Sequence, residues 1–259
     1  MKPKKSLGQN FLQDGRILRM IAGAIVAKTG ETIIEIGPGH GELTEELRMA
    51  NGGSRILAIE KDERLVGPLQ ERFKNDRNVE IVAGDTLKLL PSIVSDTKYS
   101  VVGNIPYYIT GHLLRVLSGL EPKPKNIVLL VQKEVAERIC ARAPHMNLLA
   151  ASVQFWAEPE ILMHVGRKNF HPVPKVDSAV VRIVPKEAMP IDPEVFYQFL
   201  RVLFKQPRKT VLNNLSGKGH KAETRNVLAK KLKGFNVDPG MRPQDLTIRD
   251  IEGLANGFR

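Results

Sequence analysis

Asn104-Ile105-Pro106-Tyr107 sets a carboxamide, two backbone carbonyls and a phenol ring side by side, directly after the strand-like run from Tyr99 to Gly103. Pro106 fixes its own φ and keeps Ile105 out of the helical region, so the carbonyls of 104 and 105 cannot be consumed by a helix and stay free to accept hydrogen bonds. The Asn104 side chain adds another acceptor, and Tyr107 offers a face on which a flat heterocycle can stack, worth about 1 to 3 kcal/mol for a base. Together they form a holder for a planar ring that carries an amine. The same residues also describe a plain strand-ending proline turn, so the chemistry depends on what the rest of the chain brings to them.

The apolar strand predicted over Thr32 to Ile36 breaks into Gly37-Pro38-Gly39-His40-Gly41, followed by a helix from about Glu42 to Met49. Alternate glycines before a helix start are a nucleotide-type loop: backbone approaches a ligand closely and free amides point at it. The dinucleotide fingerprint asks for glycine at the sixth place, where this chain has Glu42. An acid there repels a pyrophosphate, which favours a ligand with adenosine and no phosphates. Two further acids end the next two predicted strands. Glu60 closes Arg55 to Glu60, about where a ribose-binding carboxylate sits in βαβ folds, and Asp85 follows Val79 to Ala83, where it can accept from an adenine amine. Singly, each reads as a solvated turn acid; as successive strand ends after a glycine loop they read as one site.

The remaining elements frame that site. An arm over residues 1–12 carries Lys4 and Lys5 and then Gly8-Gln9-Asn10-Phe11-Leu12; Asp14 caps a helix with Ile17, Ile21 and Ile25 on one face. Asn126 to Val131, unbroken and apolar, has the pattern of a central parallel strand, and Gln132-Lys133-Glu134 opens a helix to Arg142 that carries Arg138. A helix over about Asn147 to Trp156 precedes strands Glu160 to Val165 and Ser178 to Val184. These flank the loop Gly166 to Lys175, which Pro172 and Pro174 stiffen and which presents Phe170 and Lys175. From residue 188 only helical patterns occur, with Phe196, Phe199, Leu200 and Leu203 on one face and a basic break at Pro207-Arg208-Lys209. This divides the chain into a domain over 1–187 and a small helical one over 188–259.

The chain carries 39 Lys and Arg against 28 Asp and Glu, a net charge of +11, of which the 72 residues from 188 hold +6. A polyanionic partner follows from that distribution, with Lys4, Lys5, Arg138, Lys175, Arg208 and Lys209 as candidate contacts. No apolar run approaches the roughly 18 residues of a membrane span, and no signal core follows Met1, so a cytoplasmic protein is expected. One cysteine, Cys140, excludes an intrachain disulfide and a cysteine-based zinc site, and six histidines show no ligand spacing; no metal is expected.

These motifs, in this order and over almost the whole length, closely resemble the small-subunit ribosomal RNA adenine N6,N6-dimethyltransferases. The likeness is carried by Gly8 to Leu12, Glu35 to Gly41, Glu60, Asp85, Asn104 to Tyr107, Gln132 to Val135, Phe170 with Pro172, Pro174 to Val180, Arg208-Lys209 and Arg242. The resemblance implies an α/β fold with a Rossmann-like class I methyltransferase sheet of seven strands and a small all-helical C-terminal domain. It implies S-adenosylmethionine as cofactor, held by Asn10, Leu12, Gly37, Gly39, Glu60, Asp85 and Asn104. It implies that the target adenine meets Asn104, Ile105, Pro106, Tyr107 and Phe170, the two rings being expected to clamp a flipped base. The substrate it implies is small-subunit ribosomal RNA in a 30S precursor particle, and the protein is expected to act as a monomer. Ile105 replaces the family's usual Leu, Tyr108 its usual Asn, and Gln206-Pro207 its usual arginine before Arg208. The competing readings are the related macrolide-resistance methyltransferases of the large subunit, a non-catalytic RNA-binding assembly or transcription factor, and an NAD-dependent oxidoreductase, the last disfavoured by Glu42 and by the lack of an evident hydride-site acid or base.

Overall fold

The computed structural model describes residues 3–4, 7–94, 98–217 and 222–258; Lys5, one of the expected RNA contacts, lies outside them. The arm ends in β1 (Phe11–Leu12), and Asp14 accepts from the Arg16 amide to cap α1 (Gly15–Ala24), whose Ile17, Leu18, Ile21 and Ala22 form the buried stripe. There follow β2 (Thr32–Ile36), α2 (Glu42–Ala50), β3 (Arg55–Glu60), α3 (Glu63–Phe73) and β4 (Val79–Ala83). Sequence reading passed over α4 (Thr86–Ile93), a leucine-rich helix capped by Asp85, whose Pro91 obscures the pattern. Next come β5 (Tyr99–Asn104), α5 (Thr110–Gly119), β6 (Ile127–Gln132) and α6 (Lys133–Ile139), the last ending before the expected Arg142. After α7 (Leu148–Gln154) the chain forms β7 (Ala157–Val165), β8 (Phe170–His171) and β9 (Ser178–Pro185), then the helices α8 (Pro193–Leu203), α9 (Val211–Ser216), α10 (Ala222–Gly234) and α11 (Ile248–Gly257). Among the described residues no helix is long and apolar enough to cross a membrane.

Seven strands make one sheet in the order β4-β3-β2-β5-β6-β9-β7. The sheet is of the class I methyltransferase type expected from the sequence, with one refinement: β6 is parallel to β5 but antiparallel to β9, so its unbroken apolar run reflects burial on both faces and not parallel neighbours on both sides. The chain builds β2, β3 and β4 outward on one side and then returns to lay β5 on the other side of β2, a topological switch point where such sheets bind ligands beyond the strand C-termini. Register makes that rim level. Ile36 pairs with Ile59 and with Gly103, and Glu60 pairs with Ala83, so Gly37, Glu60, Gly84-Asp85 and Asn104 emerge side by side.

The chain divides into two compact units: residues 1–136 with 159–185, and residues 137–158 with 186–259. The contiguous 1–187 domain expected from sequence does not separate residues 137–158, which pack with the C-terminal helices. The reason is apolar: Phe155 is buried and stacks on Phe196 of α8 with ring centroids 3.9 Å apart and planes 9° apart. The first unit is centred on an apolar cluster in which Ile17, Ile21 and Ile25 meet Leu43, Leu47, Ile56, Val102 and Val128.

Gly103 and Glu35, on the two strands that flank the switch point, bear on stability in different ways. A Cβ on Gly103 would lie 2.6 Å from the Ile36 carbonyl oxygen, a backbone atom that cannot step aside. Gly103→Ala is expected to cost about 1 to 3 kcal/mol of stability, measured by urea unfolding. Glu35, 1% exposed on β2, accepts a 2.6 Å hydrogen bond from the Thr44 hydroxyl, and burial pushes its carboxyl up from 4.5 to about 8. The folded protein holds this proton between pH 4.5 and 8 while the unfolded chain releases it, so the Glu35 contribution falls as pH rises through that window. Glu35→Gln should flatten the decline, seen as a smaller loss of unfolding free energy between pH 5 and 8 than in the unaltered protein.

Candidate active site

A cavity with about 770 Å³ of free space, part of it continuous with solvent, opens over the strand ends at the switch point. Its walls come from the arm (Leu7 to Phe11), the glycine loop (Gly37, Gly39), Glu60 and Lys61, Asp85, and the stretch Asn104 to Ile109. All belong to the first unit.

The glycine loop takes the backbone that its sequence demands, with φ of 66°, 64° and 89° at Gly37, Gly39 and Gly41. At Gly39 a side chain is excluded by close approach as well, since a Cβ would lie 2.9 Å from the Phe11 ring. Phe11 itself lies against His40, ring centroids 4.2 Å apart, so the arm roofs the loop. Glu60 is tied into it: one carboxylate oxygen accepts from the Gly39 amide at 3.1 Å and the other from the Asp62 amide at 2.7 Å. Burial pushes this carboxyl up, while the Asp62 and Gly39 amides pull it back. Each oxygen keeps a second lone pair, so the carboxylate can still accept from vicinal hydroxyls. Asp85 caps α4 through the Leu87 amide and pairs with Lys61 at 2.7 Å; that lysine holds its carboxyl below the usual range.

At the end of β5 the Asn104 side chain donates from Nδ2 to the Asn10 carbonyl oxygen at 2.8 Å. A carbonyl only accepts, so this bond fixes which end of the amide is which and leaves Oδ1 as the free acceptor. Ile105 buries its side chain and donates its amide to the Leu130 carbonyl at 3.1 Å, while no hydrogen bond from the described residues reaches its own carbonyl. Its side chain therefore anchors the turn, and its carbonyl is left as an acceptor. Tyr107 begins a short 3-10 turn (Tyr107–Ile109), with its hydroxyl 2.9 Å from the Ser178 hydroxyl at the start of β9. Burial pushes that phenol up, which keeps it neutral. Tyr108 is 59% exposed; a Cβ on Gly8 would sit 3.4 Å from its ring, so it lines the cavity beside the arm.

Two expected site residues are placed elsewhere. The Phe170 ring is 2% exposed, belongs to the apolar core and does not line the cavity. The cause is a pairing invisible in the sequence: β8 bonds antiparallel to β1, setting Phe170 opposite Leu12. The two-ring clamp is therefore not formed here, and of the pair only Tyr107 faces the cavity. Leu12 is buried in the same core, so its side chain anchors the arm and does not line the cavity. Asn10, Gly37, Gly39, Glu60, Asp85, Asn104, Ile105, Pro106 and Tyr107 all do line it.

Lys4 and Lys175 are exposed on this unit. Arg138, Arg208 and Lys209 are exposed on the other, where the buried Asn214 braces the Gln206–Thr210 turn. Asn214 accepts from the Gln206 amide at 2.9 Å and donates to the carbonyls of Gln206, Lys209 and Thr210, so the two cations stand on a fixed turn. Asn214 and Lys61 carry no signal in the sequence; Gln9, Phe11 and Ser178 stand there only as members of longer motifs, Phe11 as an apolar residue in a polar arm, with nothing to name their partners.

The model of the ribosomal RNA adenine dimethylase family matches residues 1–252. Ribosomal RNA small subunit methyltransferase A of Dehalococcoides mccartyi (strain CBDB1) is 38% identical, covering 98% of this chain and 88% of its own. The protein of the same name from Levilactobacillus brevis is 37% identical over 98% and 90%. A crystal structure of a dimethyladenosine transferase from Plasmodium falciparum aligns with a TM-score of 0.81 at 25% identity, covering 93% of this chain and 94% of that one. The 23S rRNA methyltransferase ErmE aligns at 0.77 and 24%, covering 95% and 99%, a likeness of fold. Motifs, fold and relatives agree along nearly the full length: this chain belongs to the ribosomal RNA adenine dimethylase family.

Proposed function

We propose that the chain transfers methyl groups from S-adenosylmethionine to the N6 amines of two adjacent adenines. These lie in a hairpin loop near the 3′ end of small-subunit ribosomal RNA, and the reaction takes place in a 30S precursor particle as a late step of subunit assembly. The protein acts as a cytoplasmic monomer. The observation that carries the reading is the Asn104 amide: its Nδ2 is committed to the arm, which leaves Oδ1, with the unbonded carbonyl of the next residue, Ile105, as acceptors on residues lining the cavity that Glu60 and Asp85 also line.

The cavity suits the cofactor. The buried Glu60 carboxylate keeps lone pairs that would accept from ribose hydroxyls, Asp85 would accept from the adenine amine, and a Cβ on Gly37 would meet nothing within 4 Å, so its backbone is open to a ligand. Carboxylates at this rim oppose a pyrophosphate but not a sulfonium. When bound, the cofactor supplies an electrophilic methyl on an excellent leaving group, so the demands on the protein concern the nucleophile. The adenine amine is a poor one because its lone pair is delocalised into the ring. In the first transfer, hydrogen bonds from its two N–H groups to Asn104 Oδ1 and the Ile105 carbonyl favour a pyramidal nitrogen with its lone pair aimed out of the ring plane; in the second, the monomethylated amine keeps one N–H for these acceptors. As positive charge grows on that nitrogen the same acceptors bind it more strongly, which is stabilisation specific to the transition state. Tyr107 stacks on the extruded base, its ring held through Ser178. Lys4, Lys175, Arg138, Arg208 and Lys209 meet RNA phosphates.

Asn104→Ala should keep S-adenosylmethionine binding within about tenfold while lowering turnover by about 100-fold or more, as for removal of an oxyanion donor. Calorimetric titration and a methyl-transfer assay measure the two effects. Mass mapping of unmethylated small subunits after incubation with protein and cofactor should locate two adjacent dimethylated adenines. Modification of large-subunit RNA instead would indicate the macrolide-resistance reaction, and absence of cofactor binding a non-catalytic RNA-binding role.

A further inference from the structure

Besides the Phe11 ring over Gly39 and the bond from Asn104 to the Asn10 carbonyl, two further ties hold the arm down. At residues 11–12 it pairs with β8. Just before that pairing, a single side chain makes the second tie: Gln9 donates from Nε2 to Asp62 Oδ2 at 3.0 Å and accepts the Lys4 amide on its own oxygen at 2.6 Å. Asp62 is a fixed post. Its side chain is 2% exposed, it caps α3, and Arg64 grips both its oxygens, at 2.9 and 2.6 Å. From Asp62 the contacts run inward, its amide to Glu60 Oε1 at 2.7 Å and Glu60 Oε2 to the Gly39 amide at 3.1 Å. On the other side of Gln9, one peptide along, the Asn10 carbonyl takes the Asn104 amide at 2.8 Å. One short segment thus connects the carboxylate expected to hold the cofactor ribose with the amide expected to hold the substrate amine.

We infer that Gln9 is a positioning residue: by bonding Asp62 it keeps the Asn10 carbonyl against Asn104, fixing which end of that amide faces the substrate and linking this orientation to the Glu60 side of the cavity. The inference rests on the proposed methyl transfer for its catalytic consequence, but the latch itself is a property of the arm. An amide can present its oxygen or its NH2 group with almost equal shape. With the Asn10 carbonyl in place only one orientation satisfies Nδ2; with the arm released both compete, and the flipped one offers a donor where the amine needs an acceptor.

The test exchanges donor and acceptor. Gln9→Glu faces one carboxylate with another and should open the arm; Asp62→Asn retains a residue able to cap α3. In the double variant, Gln9→Glu with Asp62→Asn, the amide introduced at position 62 donates to the carboxylate introduced at position 9, so the pair is restored with its polarity reversed. Hydrogen exchange of the amides of residues 8–12 is followed with and without S-adenosylmethionine, alongside kcat, KM for the cofactor and thermal midpoints. Gln9→Glu is expected to lose arm protection and to lower kcat about 100-fold, as for a small misplacement of reacting groups, with a smaller change in KM. Gln9→Ala should lie between it and the unaltered protein. The double variant should regain arm protection and come within about threefold of the Asp62→Asn single variant, since the paired contact is what the cycle isolates. Unchanged exchange in Gln9→Glu, or no recovery in the double variant, overturns the latch. If the unaltered protein methylates no small-subunit adenine, the proposed function fails, while the exchange data still decide the latch.

Discussion

The Asn10 carbonyl accepts a bond from Asn104 across 94 residues of sequence, and the rest of the site takes its meaning from that contact. A carboxamide in a cavity is ambiguous, since rotation by half a turn converts an acceptor into a donor at little steric cost. Satisfying the NH2 end internally removes the ambiguity, because leaving that donor without a partner costs about 1 to 3 kcal/mol where water is excluded. The arm makes the bond possible, and the fold devotes several contacts to the arm: the β1–β8 pair, Phe11 over Gly39, and Gln9 on Asp62. Phe170 belongs to this set. Buried opposite Leu12, it anchors the strand that carries the arm.

Charge is partitioned just as closely. A protein of net charge +11, suited to a polyanion, has a binding cavity rimmed by acids. Left bare, those acids would repel one another as well as RNA phosphates. Instead, Asp85 is paired with Lys61 and held below its ordinary range; off the cavity wall, Asp62 is likewise gripped by Arg64, and burial pushes Glu35 up to about 8. Glu60 remains as the carboxylate without a cationic partner of its own among the described residues, braced by backbone amides. A cationic sulfonium ligand thus meets a cavity whose negative character is concentrated at one residue, while the exposed lysines and arginines remain available outside it.

Much of this is readable from residues that report locally. Strand ends, the three glycines, Glu60, Asp85 and the Asn104 to Tyr107 motif each declare themselves by type and spacing, and register brings them to one rim as expected. What escapes depends on partners distant in sequence. Nothing near Phe170 says that its strand pairs with residues 11–12, so its ring reads as half of a base clamp although core packing claims it. Nothing near Gln9 names Asp62, 53 residues on. Residues 137–158 look like a continuation of the sheet domain until Phe155 is seen stacked on Phe196. Helix α4 is hidden for a different reason: Pro91 contradicts the helical pattern locally, and tertiary context overrides it.

The way the side chains are committed also bears on how a proton is managed in the proposed reaction. A general base must be unprotonated, free and within reach of the amine. Tyr107 is kept neutral by burial and shares a hydrogen bond with Ser178. Asp85 is paired with Lys61 and caps a helix, and Glu60 is bonded to two backbone amides. What stands next to the Asn104 motif is a set of neutral acceptors. These cannot remove a proton before transfer, but they can hold an N–H whose acidity rises sharply once the nitrogen becomes cationic, after which water suffices as the acceptor. Catalysis then rests on orientation, a contribution of about 7 to 11 kcal/mol when reacting groups are fixed in an attack geometry. This explains why so much of the structure is devoted to fixing the direction of one amide.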